Sequence, residues 1–287
     1  MKNQLKIFLE LTKFKITFFV MITTGFGYIS AANSYDSNLF SVLLGTLLLA
    51  CGSAVFNHYQ ERNIDSLMDR TKLRPIPSGK ISANKAFAIG VLLTLAGSLI
   101  LFFFVNQIAF ALGILNLVWY NLLYTPLKRK TSLAIIPGSV VGAIPPMIGW
   151  VAAGGYVFDF RILVIAFFFF IWQIPHFWLL MLKLDKDYQS ANLPTVTNLF
   201  SKAQLARITF SWTVATGISS ILIPISLKVT NAFTLMLIII LSSLVIISSL
   251  KLLKYKENNF STTFAFRSIN LFVLSIILVL SVNKLVF

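Results

Sequence analysis

The sequence predicts an all-α protein that crosses a membrane many times. Hydrophobic residues make up 57% of the 287 positions and charged residues only 11%, whereas a soluble domain carries about a quarter. The mean hydropathy is +0.84. Nine apolar stretches are each long enough to span a bilayer as a helix. These observations exclude a disordered chain and a soluble enzyme, and they favour a single polytopic bundle, one domain over residues 1–287.

The nine apolar stretches follow one another through polar connections. They cover residues 16–32, 38–56, 86–105, 107–124, 132–153, 160–182, 204–227, 232–250 and 268–287. The third and fourth are separated only by residues 105–107, which predicts a tight helical hairpin. The small residues 30–32 resemble a signal-peptide cleavage site, but a long polar segment that includes Glu10 precedes the first stretch. We therefore expect the first stretch to be a retained helix.

The distribution of Lys and Arg predicts the orientation in the membrane. If the N-terminus is cytoplasmic, the inside segments carry 21 of these residues and the outside segments carry only Arg161, Lys228 and Lys284. Basic residues concentrate on the cytoplasmic side of membrane proteins. The N-terminus is thus expected inside and the C-terminus outside. The same distribution accounts for the net charge of +15 with the lipid bilayer as the surroundings and no nucleic-acid partner.

Polar residues concentrate between positions 57 and 75. Asn57, Glu61, Asp65 and Asp69 recur every four residues, so on a helix they share one face. The bases among and after them are Arg62, Arg70, Lys72 and Arg74. Mg²⁺ uses one or two protein carboxylates and completes its shell with water and phosphate oxygens, and Arg and Lys bind phosphates. The pattern predicts a Mg²⁺–diphosphate site, and the alternative is a solvated amphipathic linker.

Two further loops are expected on the same cytoplasmic face. The loop after the sixth stretch carries Asp185 and Asp187, which would supply a second group of metal ligands. Two Mg²⁺ ions between the two acidic groups could clamp a diphosphate and stabilise it as it leaves. The short loop 124–130 carries Lys128 and Arg129 as candidate phosphate contacts. Its alternative explanation is the positive-inside rule alone.

His176 lies within the sixth apolar stretch, among Trp172, Pro175 and Phe177. An imidazole at membrane depth is costly and indicates a function by default. Haem iron is one candidate partner, and a backbone carbonyl freed near Pro175 is the alternative. His58, beside the acidic stripe, is expected to be an interfacial side chain, because Mg²⁺ prefers oxygen ligands.

Several motifs resemble those of the UbiA-type intramembrane prenyltransferases. The first, N-x3-E-x3-D-x2-M-x-R-T-x2-R-P, covers residues 57–75. The segments 124–129 (YTPLKR), 138–150 (with Pro-Pro and Gly-Trp) and 172–177 (WQIPHF) also match, as do Asp187-Tyr188 and Pro194. The Pro-Pro and Trp-Gln-x-Pro-His elements resemble the protohaem IX farnesyltransferase (haem O synthase) branch more than the quinone branch. One departure is Ala191, where the superfamily usually has a second Asp.

The resemblance implies a nine-helix enzyme of the bacterial plasma (inner) membrane. It implies Mg²⁺ as cofactor, farnesyl diphosphate as donor and a vinyl group of protohaem IX as acceptor, giving haem O. Haem A synthase or terminal oxidase assembly is then a candidate protein partner. The implied ligands of Mg²⁺ are Asn57, Glu61, Asp65 and Asp187, with Asp69 and Asp185 beside them. The implied diphosphate contacts are Arg62, Arg70, Lys72, Arg74, Lys128 and Arg129. The implied haem contacts are His176, Trp172, Phe177 and Tyr124.

Two alternatives to this function remain open from the sequence. One is a prenyltransferase that acts on an aromatic quinone precursor. The other is a secondary transporter, in which acidic residues would bind coupling ions. Transporters usually place such residues near the bilayer midplane on broken helices, whereas the acids here lie in loops or at helix ends on the cytoplasmic side. That placement counts against transport.

Overall fold

The computed structural model describes residues 2–32, 37–254 and 259–286, and in these ranges it contains helices and turns without strands. The α-helices are α1 (Lys2–Leu11), α2 (Phe14–Ala31), α3 (Ser37–Asp65), α4 (Ala83–Phe104), α5 (Gln107–Val118), α6 (Thr125–Leu127), α7 (Ile135–Ala152), α8 (Phe160–Ser190), α9 (Lys202–Ser226), α10 (Ala232–Ser249) and α11 (Asn259–Val286). A π-helical segment, Trp119–Tyr124, joins α5 to α6.

Within the described ranges, nine helical segments are long and apolar enough to cross a membrane. Each coincides with one of the nine predicted stretches, which confirms the all-α polytopic fold. Helix α1 was not predicted, because its sequence is polar-rich and lies before the first apolar stretch. The orientation of the termini stays a prediction.

The chain divides into two compact units. Unit 1 comprises Met1–Lys130, Ile144–Val157 and Lys186–Leu193, and unit 2 comprises Thr131–Ala143, Phe158–Asp185 and Pro194–Phe287. The prediction of a single domain over residues 1–287 stays a prediction.

Close backbone packing holds α2 against the end of α7 in unit 1. A Cβ added to Gly27 would lie 1.9 Å from the carbonyl oxygen of Pro146, and one added to Gly149 would lie 1.8 Å from that of Thr24. Only glycine permits such an approach at these positions. The Gly- and Pro-containing sequence of α7 therefore serves helix packing here, and the helix continues through its Pro-Pro pair.

Helix α3 ends at Asp65, earlier than the acidic stripe predicted. The hydroxyl of Thr71 donates a 2.8 Å hydrogen bond to the terminal carbonyl of Asp65, which satisfies an acceptor that a longer helix would have used. Residues 66–80 form successive turns. The prediction that Asp69 continues the helical stripe is therefore wrong, whereas Asn57, Glu61 and Asp65 do share the helix.

Helix α8 continues further than predicted, to Ser190. Asp185 and Asp187 consequently lie on its last turns and not in a loop, so that prediction is wrong. Pro175 lies inside the helix, where it removes one backbone hydrogen bond.

Unit 2 is tied together by polar contacts between apolar helices. Ser220 and Ser242 join α9 to α10 through hydroxyl oxygens 2.8 Å apart. Thr234 donates a 2.9 Å hydrogen bond to Asn283 and so joins α10 to α11. Side-chain hydrogen bonds of this kind stabilise helix association in lipid.

Candidate active site

The polar face of α3 is buried in unit 1. Asn57, Glu61 and Asp65 are 1%, 4% and 1% exposed, although each is a strongly polar residue in an otherwise apolar bundle. Buried polar groups of this kind require partners. Each of the three meets a basic side chain from a different segment of unit 1: Lys13, Lys128 and Arg74 in turn.

Asn57 is held by two side chains. Its Oδ1 accepts a 2.6 Å hydrogen bond from the amine of Lys13, and its Nδ2 donates a 3.1 Å bond to the hydroxyl of Thr125. These contacts fix the amide orientation, because Oδ1 must face the amine. An amide oxygen directed at a cation is also suitably directed to coordinate a metal ion.

Glu61 forms an ion pair with Lys128. The Nζ atom lies 2.5 Å from Oε1, and both side chains are largely removed from solvent. Burial by itself lowers the pKa of Lys128, but the Glu61 carboxylate raises it, and the net pKa lies above its ordinary value. Lys128 therefore stays charged. The basic loop thus does more than satisfy the positive-inside rule.

Asp65 is paired with Arg74. Both carboxylate oxygens accept hydrogen bonds of 2.8 Å from Nη1 of the guanidinium. The turns between them bring the arginine back over the end of α3. The turns after α3 therefore decide that Asp65 meets Arg74, and the predicted metal and phosphate roles of the two residues stay predictions.

Asp187 approaches the same part of unit 1. Its Oδ2 lies 3.7 Å from Nε of Arg70. An apolar cluster of Met68, Ala191 and Leu193 packs close by. These contacts hold the end of α8 against the turns that follow α3. The joint role of Asp187 and the first acidic motif in metal binding stays a prediction. Ala191, which departs from the family pattern, contributes packing here.

Four predicted phosphate or metal contacts face elsewhere. Arg62 donates to the carbonyl of Tyr59 at 2.6 Å, and its guanidinium lies 4.4 Å from the centre of that ring. The Asp69 side chain is 86% exposed and pairs with Lys72 at 2.6 Å. That hydrogen bond lowers the pKa of Asp69. Arg129 donates to the carbonyl of Gln60 at 2.6 Å.

Asp185 belongs to unit 2. It accepts a hydrogen bond from the hydroxyl of Thr197, and Nζ of Lys202 lies 4.0 Å from its other oxygen. These contacts join the end of α8 to the beginning of α9. They give Asp185 a structural role within unit 2, and its predicted role as a metal ligand stays a prediction.

Lys13 is a candidate site residue that was not predicted from the sequence. It lies between α1 and α2 in a left-handed conformation, with φ 48° and ψ 47°. Burial lowers its pKa to about 7, with a further lowering by Arg74. The available signal was a basic residue just before an apolar helix, which the positive-inside rule already explains.

Tyr124 lies at the end of the π-helical segment. Its ring stacks on Tyr120 at a centroid distance of 5.7 Å, and Nζ of Lys128 lies 6.0 Å from its centre. Asn121, in the same segment, accepts from Ser53 at 2.6 Å and donates to the Ser53 carbonyl at 3.0 Å. The π-helical segment is therefore anchored to α3, which places Tyr124 beside the Glu61–Lys128 pair. Its contact with haem stays a prediction.

His176 lies in unit 2 among aromatic rings. The ring centres of Trp172, Phe177 and Phe266 lie 5.1, 5.6 and 5.0 Å from that of the imidazole. The partner of Nδ1 is the side-chain oxygen of Asn270, 2.7 Å away on α11. The predicted alternative of a backbone carbonyl near Pro175 is therefore wrong.

Comparison with known proteins shows the family and the fold of this chain. The profile of the UbiA prenyltransferase family matches residues 20–276. The chain belongs to this family. A solved structure of a digeranylgeranylglyceryl phosphate synthase covers 98% of this chain and 99% of its own, with a TM-score of 0.78 and 21% identity. A UbiA homologue from Archaeoglobus fulgidus bound to GPP and Mg²⁺ covers 96% and 99%, with a TM-score of 0.65 and 17% identity. At this identity the two show the UbiA fold.

Curated relatives are more similar in sequence. The Geobacter sulfurreducens protein named protoheme IX farnesyltransferase is 42% identical over 171 residues, 60% of this chain and 63% of its own. The Aquifex aeolicus protein of the same name is 41% identical over 198 residues, 68% of each chain. The matches thus span 63% and 68% of the length of these two relatives.

The residues of this UbiA chain fit Mg²⁺. The donors on α3 are oxygen atoms, which Mg²⁺ prefers. In the described ranges, no group of three or more His, Cys, Asp or Glu side chains is gathered closely enough to hold a metal alone. Mg²⁺ needs only one or two carboxylates when substrate phosphates complete its shell. Asn57, Glu61 and Asp65 suit a metal that arrives with a diphosphate.

Proposed function

We propose that this UbiA-family chain transfers a farnesyl group from farnesyl diphosphate to a vinyl group of protohaem IX, giving haem O in a Mg²⁺-dependent reaction. The observation that supports farnesyl diphosphate as the donor is the buried polar face of α3. There the oxygens of Asn57, Glu61 and Asp65 each meet one cation, from Lys13, Lys128 and Arg74. Such an alternation of acids and bases suits a substrate that brings both phosphate and metal.

The A. fulgidus homologue supports this assignment, since it shares the fold and is bound to GPP and Mg²⁺. In this chain, Asn57, Glu61 and Asp65 would hold Mg²⁺, and Asp187 would contribute from the end of α8. Lys13, Arg70, Arg74 and Lys128 would bind the diphosphate oxygens. We leave the exposed Asp69–Lys72 pair out of this set, and we assign Arg62 and Arg129 peripheral roles because both donate to backbone carbonyls.

The reaction needs no protein nucleophile. Breaking the C–O bond leaves negative charge on the diphosphate and positive charge on the farnesyl carbon. The cations around α3 stabilise the former, in a setting already organised to hold charge. Bound Mg²⁺ would supply further stabilisation of the leaving oxygens. The electron-rich vinyl group attacks the farnesyl carbon, and water adds to the resulting cation with loss of a proton.

The acceptor half rests on His176 and its aromatic neighbours. Trp172 and Phe177 offer faces for a flat macrocycle, and the imidazole is a common ligand of haem iron. The relatives from G. sulfurreducens and A. aeolicus carry the name protoheme IX farnesyltransferase. A haem contact of Tyr124, in unit 1, is a further part of the proposal. We further propose that the reaction takes place at the cytoplasmic side of the bacterial inner membrane and supplies terminal oxidase assembly.

The direct test is mass analysis of haem extracted from membranes that express this chain in a host lacking haem O synthesis. The expected product exceeds haem B by one farnesyl group plus one hydroxyl group. Unchanged haem B, together with prenylation of an added aromatic quinone precursor, would overturn the haem assignment in favour of that acceptor. Ion-coupled uptake without any prenyl transfer would favour transport instead.

A further inference from the structure

His176 and Asn270 form a hydrogen-bonded chain that joins α8 to α11. Nδ1 of His176 lies 2.7 Å from Oδ1 of Asn270, and Nδ2 of Asn270 donates to the carbonyl of Phe266 at 2.6 Å. The second contact fixes the amide orientation. If the amide were reversed, two acceptor oxygens would face each other at that distance.

The amide orientation in turn fixes the imidazole. An amide oxygen only accepts hydrogen bonds, so Nδ1 of His176 must carry the hydrogen. In the neutral ring, Nε2 then carries the lone pair. A cationic ring is disfavoured, because its neighbours include Trp172, Phe177 and Phe266 and an unpaired charge among apolar groups is costly.

We infer that Asn270 is a positioning residue that presents Nε2 of His176 to the iron of the acceptor haem. This inference rests on the proposed function. Histidines that bind metals usually donate their other ring N–H to an oxygen acceptor, which sets the tautomer and the ring orientation and strengthens the ligand. Asn270 supplies such an acceptor from a different helix, and the Phe266 carbonyl holds it in place.

This pairing could not be predicted from the sequence. Asn270 lies in the last apolar stretch, 94 positions from His176, and a single asparagine in a membrane helix is commonly explained by helix association. Asn283, on the same helix, has that role, since it accepts a hydrogen bond from Thr234 of α10. It is therefore the matched control for Asn270.

The test is a titration of the purified full-length protein with protohaem IX, combined with resonance Raman spectra of the ferrous complex. Asn270→Leu should weaken haem affinity about 10–100-fold. It should also lower the frequency of the iron–histidine stretching band or abolish the band. Asn270→Asp keeps an acceptor oxygen and should retain most of the affinity with the band shifted upward. Asn283→Leu should leave both the haem affinity and the band unchanged. Farnesyl diphosphate affinity should be the same in all variants as in the wild-type protein.

The outcomes separate this inference from the proposed function. A wild-type band and affinity in Asn270→Leu would overturn the positioning role while leaving haem as the acceptor. An equal loss in Asn283→Leu would also overturn it, because the effect would then be general to α11. Should the wild-type protein bind no haem, the proposed acceptor and the positioning role would both be wrong. Aspartate is nearly the same size as asparagine. The haem affinity and the band of Asn270→Asp can therefore be measured even if the leucine variant does not fold.

Discussion

Lys13 donates a 2.6 Å hydrogen bond from Nζ to Oδ1 of Asn57, across 44 positions of the chain. This contact fastens the joint between α1 and α2 to the buried face of α3. It also adds a cation to a face that already receives Lys128 and Arg74. The diphosphate-binding region that we propose therefore draws its bases from three separate segments of unit 1.

The Lys13→Met variant should bind farnesyl diphosphate roughly ten- to hundredfold more weakly, because hydrogen bonds to charged groups contribute about 1.5–3 kcal/mol. The matched control is Lys15→Met, since Lys15 is exposed on the same segment. Calorimetric titration with an unreactive farnesyl diphosphate analogue measures the difference. Equal affinities for the two variants would exclude Lys13 from the diphosphate site.

Asp65→Asn should abolish prenyl transfer in a protein that remains folded, because the change removes a proposed Mg²⁺ ligand without altering side-chain volume. Asp69→Asn is the control, since Asp69 is exposed and paired only with Lys72 in the described ranges. It should keep near-normal activity. Haem O formation at saturating Mg²⁺ would be compared in membranes with matched protein levels. Full activity of Asp65→Asn would contradict the metal site on α3.

The fold was predictable from the sequence because a helix that spans the membrane must be apolar along most of its length. Each apolar stretch is long enough for its pattern to outweigh individual polar residues. Helix ends were harder to predict. Helix α3 stops at Asp65, where the hydroxyl of Thr71 reaches the terminal carbonyl, and does not continue to Asp69. No pattern of hydropathy encodes that contact.

The site was predictable in part. The spacing and the motif predicted Glu61, Asp65 and Arg74 as candidate site residues. In the structure Glu61 pairs with Lys128 and Asp65 pairs with Arg74. Lys13 and Asn270 were not evident, since each meets its partner only through tertiary packing. A short stretch of sequence does not distinguish a polar residue whose partner is distant in the chain from one that faces a loop or a neighbouring helix.

Gly27→Ala should lower the stability of unit 1 by about 1–3 kcal/mol, the usual effect of overpacking. The new Cβ would lie 1.9 Å from a backbone oxygen of Pro146, which cannot move aside independently of α7. Gly25→Ala, on the same helix, is the control. Its Cβ would meet the end of the flexible Leu43 side chain at 3.3 Å. Thermal melts in detergent that are indistinguishable for the two variants would contradict the close α2–α7 packing.

The predicted orientation can be tested by labelling single cysteines. With the buried Cys51 replaced by Ser, a cysteine at the exposed Ser78 should react with an impermeant reagent only from the cytoplasmic side. A cysteine at the exposed Thr230 should react only from the outside. The reverse result would invert the membrane orientation. The predicted outside loop at 33–37 is a less suitable site, since residues 33–36 lie outside the described ranges.

The His176→Ala variant should lose haem affinity and change the Soret band. Its imidazole is the proposed iron ligand, and its neighbours Trp172 and Phe177 would remain. Farnesyl diphosphate affinity should stay nearly constant, because the proposed diphosphate site uses α3 residues of unit 1 and His176 belongs to unit 2. If His176 serves only as the partner of Asn270, the variant should instead lose about 1–3 kcal/mol of stability with unchanged haem affinity per folded molecule.

The control for His176 is His58→Ala. His58 is buried, and in the described part of the chain neither of its ring nitrogens has a hydrogen-bond partner. Its removal deletes an imidazole of the same size without breaking a described hydrogen bond. Haem titration and a thermal melt of wild type and both variants separate the two roles. If the haem spectrum changes in His58→Ala and not in His176→Ala, the haem iron would be assigned to His58 on α3 and not to His176. A change confined to His176→Ala would place the iron beside α8, where the Asn270 amide already sets the tautomer that a ligand needs.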